Sequence, residues 1–216
     1  MKKLKYIFLL AGALSLASCE SWLDEDPQYT INTKTQFSTV ENAKQALMGC
    51  YGYMSADNAY GQAWQEVTFG YCGFGWSQTN GSSTDLLVSM DGGIDETINT
   101  MAWRGMYKVI GETNAFIANI ADSPLESADK LPMEAAARFL RALAYYNLAV
   151  TYGDVPLKTT PSAHDGVAVP RSPKNEVFEL VRTDWEFAYE NLPEKDDDGF
   201  ATKWAAKALS YFGLSG

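Results

Sequence analysis

The clearest pattern in the chain is a series of hydrophobic positions around residues 138–157, spaced three and four residues apart. That spacing puts the side chains on one face of an amphipathic helix. Gly153 suits the position after a helix end, where φ is positive, and Pro156 prevents the helix from restarting. The pattern therefore predicts a long helix, a glycine stop and an extended exit. The predicted buried face comprises Ala136, Phe139, Leu140, Leu143, Tyr146 and Val150.

Four other segments show the same spacing and predict helices over about 40–54, 98–120 and 173–192, and from about 202 onward. Ser38 and Glu41 match a capping box for the first of them. Pro132 suits the first turn of the long helix, and Ser172 suits the cap of the next. Asn114 interrupts an apolar stripe, so we expect it to bond neighbouring backbone. Together these segments predict an all-α domain of about five helices.

Residues 51–85 break the helical pattern. Aromatic residues alternate with glycines as far as Trp76, and glycine at that density opposes regular helix. A sugar can stack its C–H face on an aromatic ring while its hydroxyls bond amide groups. We therefore name Trp64, Tyr71, Trp76 and Asn80 as candidate ligand-binding residues in a long, glycine-rich loop. The alternative is that these aromatic side chains cover the loop and fill a small core of their own.

Residues 1–18 have the pattern of a signal peptide, because Lys2, Lys3 and Lys5 precede an apolar run that is too short to span a bilayer. The run ends in Leu-Ala-Ser before Cys19, which resembles the lipobox of bacterial lipoproteins. We expect cleavage before Cys19 and lipidation of its thiol, which would anchor the protein in a membrane. The alternative is an ordinary secretory signal with a coincidental cysteine. Residues 19–36 predict an acidic tether.

Composition narrows the possible chemistry. The 216-residue chain carries a net charge of −10, which argues against nucleic acid as a partner because phosphate binding needs basic patches. Its single histidine, His164, excludes a metal site built on several histidines. Carboxylates are abundant, but the sequence marks no two of them as a glycosidase pair. We expect no catalytic residue, metal or cofactor. We expect Cys50 and Cys72 to lie apart and buried, and the alternative is a disulfide between them.

Two neighbouring strings, RALAYYNL at residues 141–148 and YGDVPL at residues 152–157, resemble the signature of the SusD/RagB family. These are nutrient-binding outer-membrane lipoproteins that work with a TonB-dependent transporter. The resemblance extends over nearly the whole chain, through residues 23–27, 103–114, 170–193 and 202–209. Two positions depart from the family pattern: Phe200 stands where the family has arginine, and Trp204 where it often has glycine.

The resemblance implies a tetratricopeptide-like helical stack over residues 37–216, with the second helix paired with the third and the fourth with the fifth. It implies a lipid-anchored protein of the outer membrane that faces the cell exterior. Such a protein binds an extracellular nutrient, in first place an oligosaccharide, and delivers it to a SusC-like transporter. The early loop of the family contributes a tryptophan and an asparagine to the glycan site, matched here by Trp76 and Asn80. The alternatives are a surface glycan hydrolase and a non-catalytic helical-repeat adaptor.

Family members continue for several hundred residues past the point that matches the end of this sequence, so the resemblance implies an incomplete family member. Trp204, Leu209 and Phe212 form an apolar face on the last predicted helix, and no later unit of a helical stack follows to cover it. We expect that face to be exposed and the chain to be poorly stable alone. The alternative is a short form in which the last helix folds back on the preceding one.

Overall fold

The computed structural model describes residues 33–70, 72, 97–161, 169–196 and 198–213, which belong to one compact unit, Thr33–Gly216. Its helices are α1 (Thr33–Gln36), α2 (Val40–Ser55), α3 (Ala63–Gly70), α4 (Thr97–Ala121), α5 (Ser127–Tyr152), α6 (Lys174–Asn191) and α7 (Lys203–Gly213), and a π-helical turn (Asp57–Gly61) joins α2 to α3. Strands β1 (Val155–Pro156) and β2 (Arg171–Ser172) form an antiparallel pair. Within these ranges, no helix combines the length and apolar character that a membrane crossing requires.

Helices that follow one another in the chain pack side by side. Helix α4 lies on α5, α5 on α6 and α6 on α7, while α2 and α3 lie against α4. Short links favour this arrangement because they keep consecutive helices adjacent in space. The predicted pairings and the all-α, tetratricopeptide-like stack are confirmed. In the part of the chain that the structure describes, the β1–β2 pair is the only sheet.

The start of α2 differs from the predicted capping box by one residue. Thr39, not Ser38, is the cap, and its Oγ1 accepts the Asn42 N–H at 3.2 Å. The Ser38 hydroxyl instead donates to the Thr35 carbonyl at 2.8 Å, because α1 ends at Gln36 and the carbonyls of its last turn lack partners within the helix. The apolar stripe is as predicted, with Ala43, Leu47, Cys50 and Met54 buried.

The prediction of a continuous loop from residue 51 is wrong as far as residue 70. The chain stays helical to Ser55, makes the π-helical turn and enters α3. Ala63, Trp64 and Val67 are buried along one side of α3, so packing against α4 stabilises a helix that glycine content alone would disfavour. Residues 71 and 73–96, which include the rest of the predicted loop, lie outside the described residues.

Gly105 in α4 permits the close approach of the π-helical turn. A Cβ built at this glycine would lie 1.8 Å from the Asn58 carbonyl oxygen, which no real side chain tolerates. Only glycine lets two backbones approach so closely without distorting one of them. The π-helical turn, which joins the amino-terminal helices α2 and α3, therefore contacts α4 at Gly105, a residue that the sequence pattern did not single out.

Helix α5 is buried on most of its circumference, which the single predicted stripe did not anticipate. Ala136, Phe139 and Leu140 are buried as predicted, but Val150 is 53% exposed and Tyr145 is fully buried. The reason is that α5 lies between α4 on one side and α6 on the other, so that both flanks pack against neighbours. Pro132 is also misplaced by the prediction, because the helix begins at Ser127 and the proline lies in its second turn.

The exit from α5 follows the predicted glycine stop. Gly153 has φ +74°, a conformation that favours glycine, and β1 begins two residues later. Asp154, next in the chain, accepts the Lys174 N–H at 2.8 Å through its carboxylate. This bond caps α6, so the expected cap at Ser172 is wrong. Ser172 instead pairs with Val155 in the β1–β2 ladder.

Helices α6 and α7 complete the described stack. The predicted stripe of α6 is confirmed, since Val177, Val181, Trp185, Ala188 and Leu192 are all buried. Helix α7 packs on α6, with Lys207 Nζ 4.6 Å from the centre of the Tyr189 ring. Trp204 is 54% exposed and Leu209 is half-buried, while the Phe212 side chain lies outside the described set. The predicted low stability of the chain stays a prediction.

Candidate functional site

Of the four residues predicted to bind ligand, the structure describes only Trp64. Its side chain is 8% exposed and lies in the core, with its ring 6.3 Å from that of Tyr60. Little of the indole is therefore open to a ligand, and a binding role for Trp64 stays a prediction. Tyr71, Trp76 and Asn80 lie outside the described residues, and so does the predicted lipidation site at Cys19.

A partly buried hydrogen bond fixes Tyr60, within the aromatic segment, to α5. The Asn147 amide, part of the RALAYYNL string, donates to the Tyr60 hydroxyl at 2.6 Å. Burial raises the pKa of Tyr60, while the bond from Asn147 opposes that shift. The phenol therefore stays neutral and holds the π-helical turn in place, just before α3 and the predicted ligand-binding loop.

Three polar residues from α4, α5 and α6 meet in the centre of the stack. Arg141 donates to both carboxylate oxygens of Asp184, each at 2.8 Å, and its third guanidinium nitrogen donates to Asn114 Oδ1 at 2.8 Å. All three side chains are buried. A paired geometry of this kind satisfies charges that would be costly to bury alone. We call these three residues the buried network.

The buried network also holds the chain that leaves β1. Asn114 Nδ2 donates to the carbonyls of Lys158 at 3.0 Å and Thr160 at 3.3 Å, which confirms the expected bond to neighbouring backbone. The Tyr145 hydroxyl accepts the Lys158 N–H at 2.6 Å and donates to the Lys158 carbonyl at 2.8 Å. These bonds fix residues 158–160 to the helices beneath them.

Sequence reasoning missed the charge pair at the centre of the buried network. Asp184 occupies a turn of α6 whose neighbours Val181 and Trp185 are fully buried, so its position marked a buried carboxylate. A buried carboxylate requires a cation. Arg141 and Arg138, one turn apart on the facing helix, supply it; Arg138 lies 3.3 Å from Asp184 and also pairs with Glu134.

An open cleft of about 250 Å³ lies on the other side of α4, between α4 and α2, and we call it the α2–α4 cleft. Its lining mixes aromatic, amide and carboxylate side chains with a glycine and two alanines. The residues are Gln36, Phe37, Gln45, Ala46, Gly49, Cys50, Tyr53, Glu112, Ala115, Phe116 and Asn119. The sequence prediction placed no ligand here, because these residues are spread over three helices.

Cys50 and Cys72 are free thiols, as expected from the sequence; Cys50 is buried as expected, but the expected burial of Cys72 is wrong, since that residue is exposed. Burial, helped by the negative charge of Glu112, raises the pKa of the Cys50 thiol to about 12. Cys50 is therefore a neutral, unreactive part of the cleft wall. Among the described residues, no group of three potential metal ligands comes together.

Comparison with known proteins adds a family and a set of relatives. The model of a SusD-like family, described as starch-binding and associating with the outer membrane, matches residues 21–212. SusD-like protein P25 of Formosa agariphila is 26% identical over 93% of this chain and 40% of its own length. SusD-like protein P38 of the same organism is 30% identical over 92% of this chain and 40% of its own. The chain thus spans about two fifths of these relatives.

Solved structures share the helical stack. A SusD superfamily protein from Bacteroides thetaiotaomicron superposes with a TM-score of 0.70 and 25% identity, over 81% of this chain and 42% of that one. A crystal structure with xylogluco-oligosaccharide gives a TM-score of 0.64 and 26% identity, and the match covers 76% of this chain and 33% of that one. A laminarin-binding SusD-like protein gives a TM-score of 0.69 at 24% identity, and the match covers 82% of this chain and 40% of that one. This likeness shows the fold alone.

Proposed function

Because the chain belongs to the SusD-like family of outer-membrane-associated proteins, we propose that it binds an extracellular oligosaccharide at the cell surface. It then passes the sugar to a TonB-dependent, SusC-like transporter. The observation that carries this proposal is the match to the family over residues 21–212, including the strings around Arg141 and Gly153. The relative solved with xylogluco-oligosaccharide supports a glycan as the ligand class.

The contrast between the buried network and the predicted loop fits a binding protein. The polar groups of Asn114, Arg141 and Asp184 bond one another, and the Tyr145 hydroxyl bonds the backbone, so these four residues keep little capacity for a ligand. The aromatic and amide side chains of the predicted loop, Trp76 and Asn80, suit stacking and hydrogen bonding to a sugar. We propose binding without turnover, since neither motif nor described geometry marks a catalytic carboxylate pair.

A binding experiment tests this proposal. The purified chain is titrated with xylogluco-oligosaccharide and with laminari-oligosaccharide by calorimetry, and released reducing sugar is measured in parallel. We expect binding without release of reducing sugar, and Trp76→Ala should weaken binding severalfold or more because the ring stacking is lost, on the order of 1 kcal/mol. The matched control is Trp204→Ala, which removes an exposed indole on α7.

Four results would contradict the proposal or part of it. Release of reducing sugar would favour the hydrolase, and failure to bind any glycan while binding the transporter would favour the adaptor. Equal affinity of Trp76→Ala and Trp204→Ala would remove Trp76 from the site. Unfolding of Trp76→Ala would show that the ring is part of the core.

The membrane anchor is a separate proposal. It rests on the order and spacing of the basic run, the apolar run and Cys19 at the start of the chain. We propose that signal peptidase cleaves before Cys19 and that the thiol carries lipid. In cells that express Cys19→Ala, precursor should accumulate or the protein should leave the membrane fraction. Normal processing and normal membrane retention of that variant would contradict lipidation.

A further inference from the structure

We propose that the α2–α4 cleft is a second saccharide site, which takes one sugar unit of a neutral oligosaccharide. The inference extends the proposed function, on whose ligand class it rests, but it concerns residues other than the predicted loop. The cleft holds about 250 Å³ and lies within the described helices. Small-molecule sites are typically concave and mostly apolar, with a few polar groups that fix orientation.

The apolar part of the cleft suits the C–H face of a sugar. Phe37 and Phe116 line the cleft, pack edge to face with ring centres 5.4 Å apart and are almost fully buried, so the ring surface that a sugar can reach belongs to Tyr53. Tyr53 contributes a ring that is 38% exposed, and Gly49 has no heavy atom within 4 Å of the position where its Cβ would lie. The cleft therefore combines a fixed aromatic base with open space above it.

The polar groups suit sugar hydroxyls. Glu112 Oε1 accepts from Lys108 Nζ at 2.6 Å, and in the described part of the chain no bond engages its Oε2. Asn119 Nδ2 donates to the Ala115 carbonyl at 2.8 Å, which leaves its Oδ1 as an acceptor. Hydroxyl groups can both donate to these oxygens and accept from amides. A carboxylate beside amides and an aromatic base is thus the chemistry that a polyhydroxylated ligand needs.

Two further amides face the cleft without partners of their own. Within the described ranges, neither Gln36 nor Gln45 makes a side-chain hydrogen bond, although both line the opening. Each amide offers two donors and one acceptor to a ligand. This capacity contrasts with Asn114 on the opposite side of α4, whose amide is fully engaged by Arg141 and backbone.

Charge selects a neutral sugar over an acidic one. The chain has a net charge of −10, and Glu112 lies in the cleft itself. Lys108 is the cation that pairs with Glu112, and its Nζ lies 4.7 Å from the centre of the Tyr53 ring. We therefore expect the negative net charge to repel a uronate or sulfated sugar more than a neutral one.

Two glycines of α2 give a matched pair of variants. Gly49 lines the cleft, whereas Gly52, one turn along, does not, and a Cβ at either position meets nothing within 4 Å. Gly49→Leu should therefore fill the cleft without disturbing the fold, and Gly52→Leu is the control with the same change in helix composition. Glu112→Gln keeps the shape of the site and removes its charge.

The test is a titration of the wild-type chain and its variants with xylogluco- and laminari-oligosaccharides, read by calorimetry and native mass spectrometry, with circular dichroism as the folding check. We expect two sugars per wild-type chain, one for Gly49→Leu and one for Trp76→Ala, with Gly52→Leu like wild type. Glu112→Gln should weaken the second site severalfold, and oligogalacturonate should bind at least tenfold more weakly than the neutral sugars.

The outcomes separate this proposal from the proposed function. Binding to the wild-type chain that is identical in Gly49→Leu and Gly52→Leu would overturn the second site and leave the proposed function intact. Loss of binding in Gly49→Leu alone, with Trp76→Ala unaffected, would support the cleft and remove the loop from the site. A wild-type chain that binds no sugar would overturn both.

Discussion

Helix α4 has two polar sides that differ in how completely their groups are satisfied. On one side Asn114 bonds Arg141 and the backbone of residues 158 and 160, so its amide is fully engaged. On the other side Glu112 and Asn119 line an open cleft and keep free acceptors. The difference teaches that the strongest motif of the sequence builds the scaffold, while the residues that we propose for binding lie where motifs are weak.

Breaking the buried network should have the largest effect on stability. Asp184→Ala leaves the Arg141 charge buried without its carboxylate partner, and loss of one member of a buried pair typically costs about 3–5 kcal/mol. The free energy of unfolding is measured in urea. Glu179→Gln, which removes an exposed partner of Arg182, is the control and should leave the unfolding midpoint unchanged. A small effect of Asp184→Ala would mean that the network is dispensable.

Separating the amino-terminal helices from α4 should have the next largest effect. In Gly105→Ala the new Cβ would collide with the Asn58 carbonyl, so the π-helical turn must move away from α4. Overpacking of this kind typically costs about 1–3 kcal/mol. Urea unfolding measures the cost, and hydrogen exchange should show faster exchange in α2 and α3 than in α5. Equal exchange rates in α2, α3 and α5, together with wild-type stability of Gly105→Ala, would contradict the close contact between the π-helical turn and α4.

Alkaline pH should destabilise the cleft side through Cys50. Burial and Glu112 raise its pKa from 9.0 to about 12, so its contribution to stability is full below pH 9 and is lost as pH rises towards 12. At pH 10 the loss is on the order of 1 kcal/mol. Cys50→Ala should flatten the decline in stability between pH 9 and 10, and Cys72→Ala should not. Identical pH profiles for both variants would contradict this assignment.

The smallest predicted effect is a gain in stability, whereas the three changes above lower it. Gly52 lies inside α2 with open space at its Cβ position, so Gly52→Ala should raise stability by up to about 1 kcal/mol through helix propensity. Gly153→Ala is the contrasting variant, since φ is +74° there and an L side chain is strained. Thermal unfolding of both variants measures these effects. A shift of the melting temperature in the same direction for both variants would contradict the prediction.

Sequence periodicity predicted the helices well where one side of the helix stays in solvent. All five stripe residues of α6 are buried, and α6 exposes its opposite side to solvent although it packs on both α5 and α7. The same reasoning failed for α5, where Val150 is exposed and Tyr145 is buried, because α4 and α6 together cover most of its circumference. Periodicity reports one contact face, and it loses its meaning when a second face is covered.

Local signals at helix ends were less reliable than stripes. Thr39 caps α2 and Asp154 caps α6, although Ser38 and Ser172 matched the usual motifs. The α6 cap comes from 20 residues away, which no local motif reports. Residues 63–70 form a helix despite nearby glycines, because Trp64 and Val67 gain burial against the stack. Tertiary contacts outweighed local propensity in each case.

The candidate site was only partly predictable for a related reason. Trp76 and Asn80 were named from an aromatic and amide composition that suits sugars, and they stay predictions. The lining of the α2–α4 cleft comes from α1, α2 and α4, so its members share no sequence spacing. Glu112 and Asn119 lie on one face of α4, but only the fold shows that Gln36 and Tyr53 are opposite them.

Hydrogen exchange with and without sugar tests the central claim most directly, that α4 separates a closed scaffold from an open binding side. The wild-type chain is exchanged in the presence of saturating xylogluco-oligosaccharide and analysed by mass spectrometry of peptides. We predict slower exchange in peptides that cover residues 36–53 and 71–80, and unchanged exchange in residues 134–148 of α5. Protection confined to α5, or no protection anywhere under conditions of proven binding, would contradict the account.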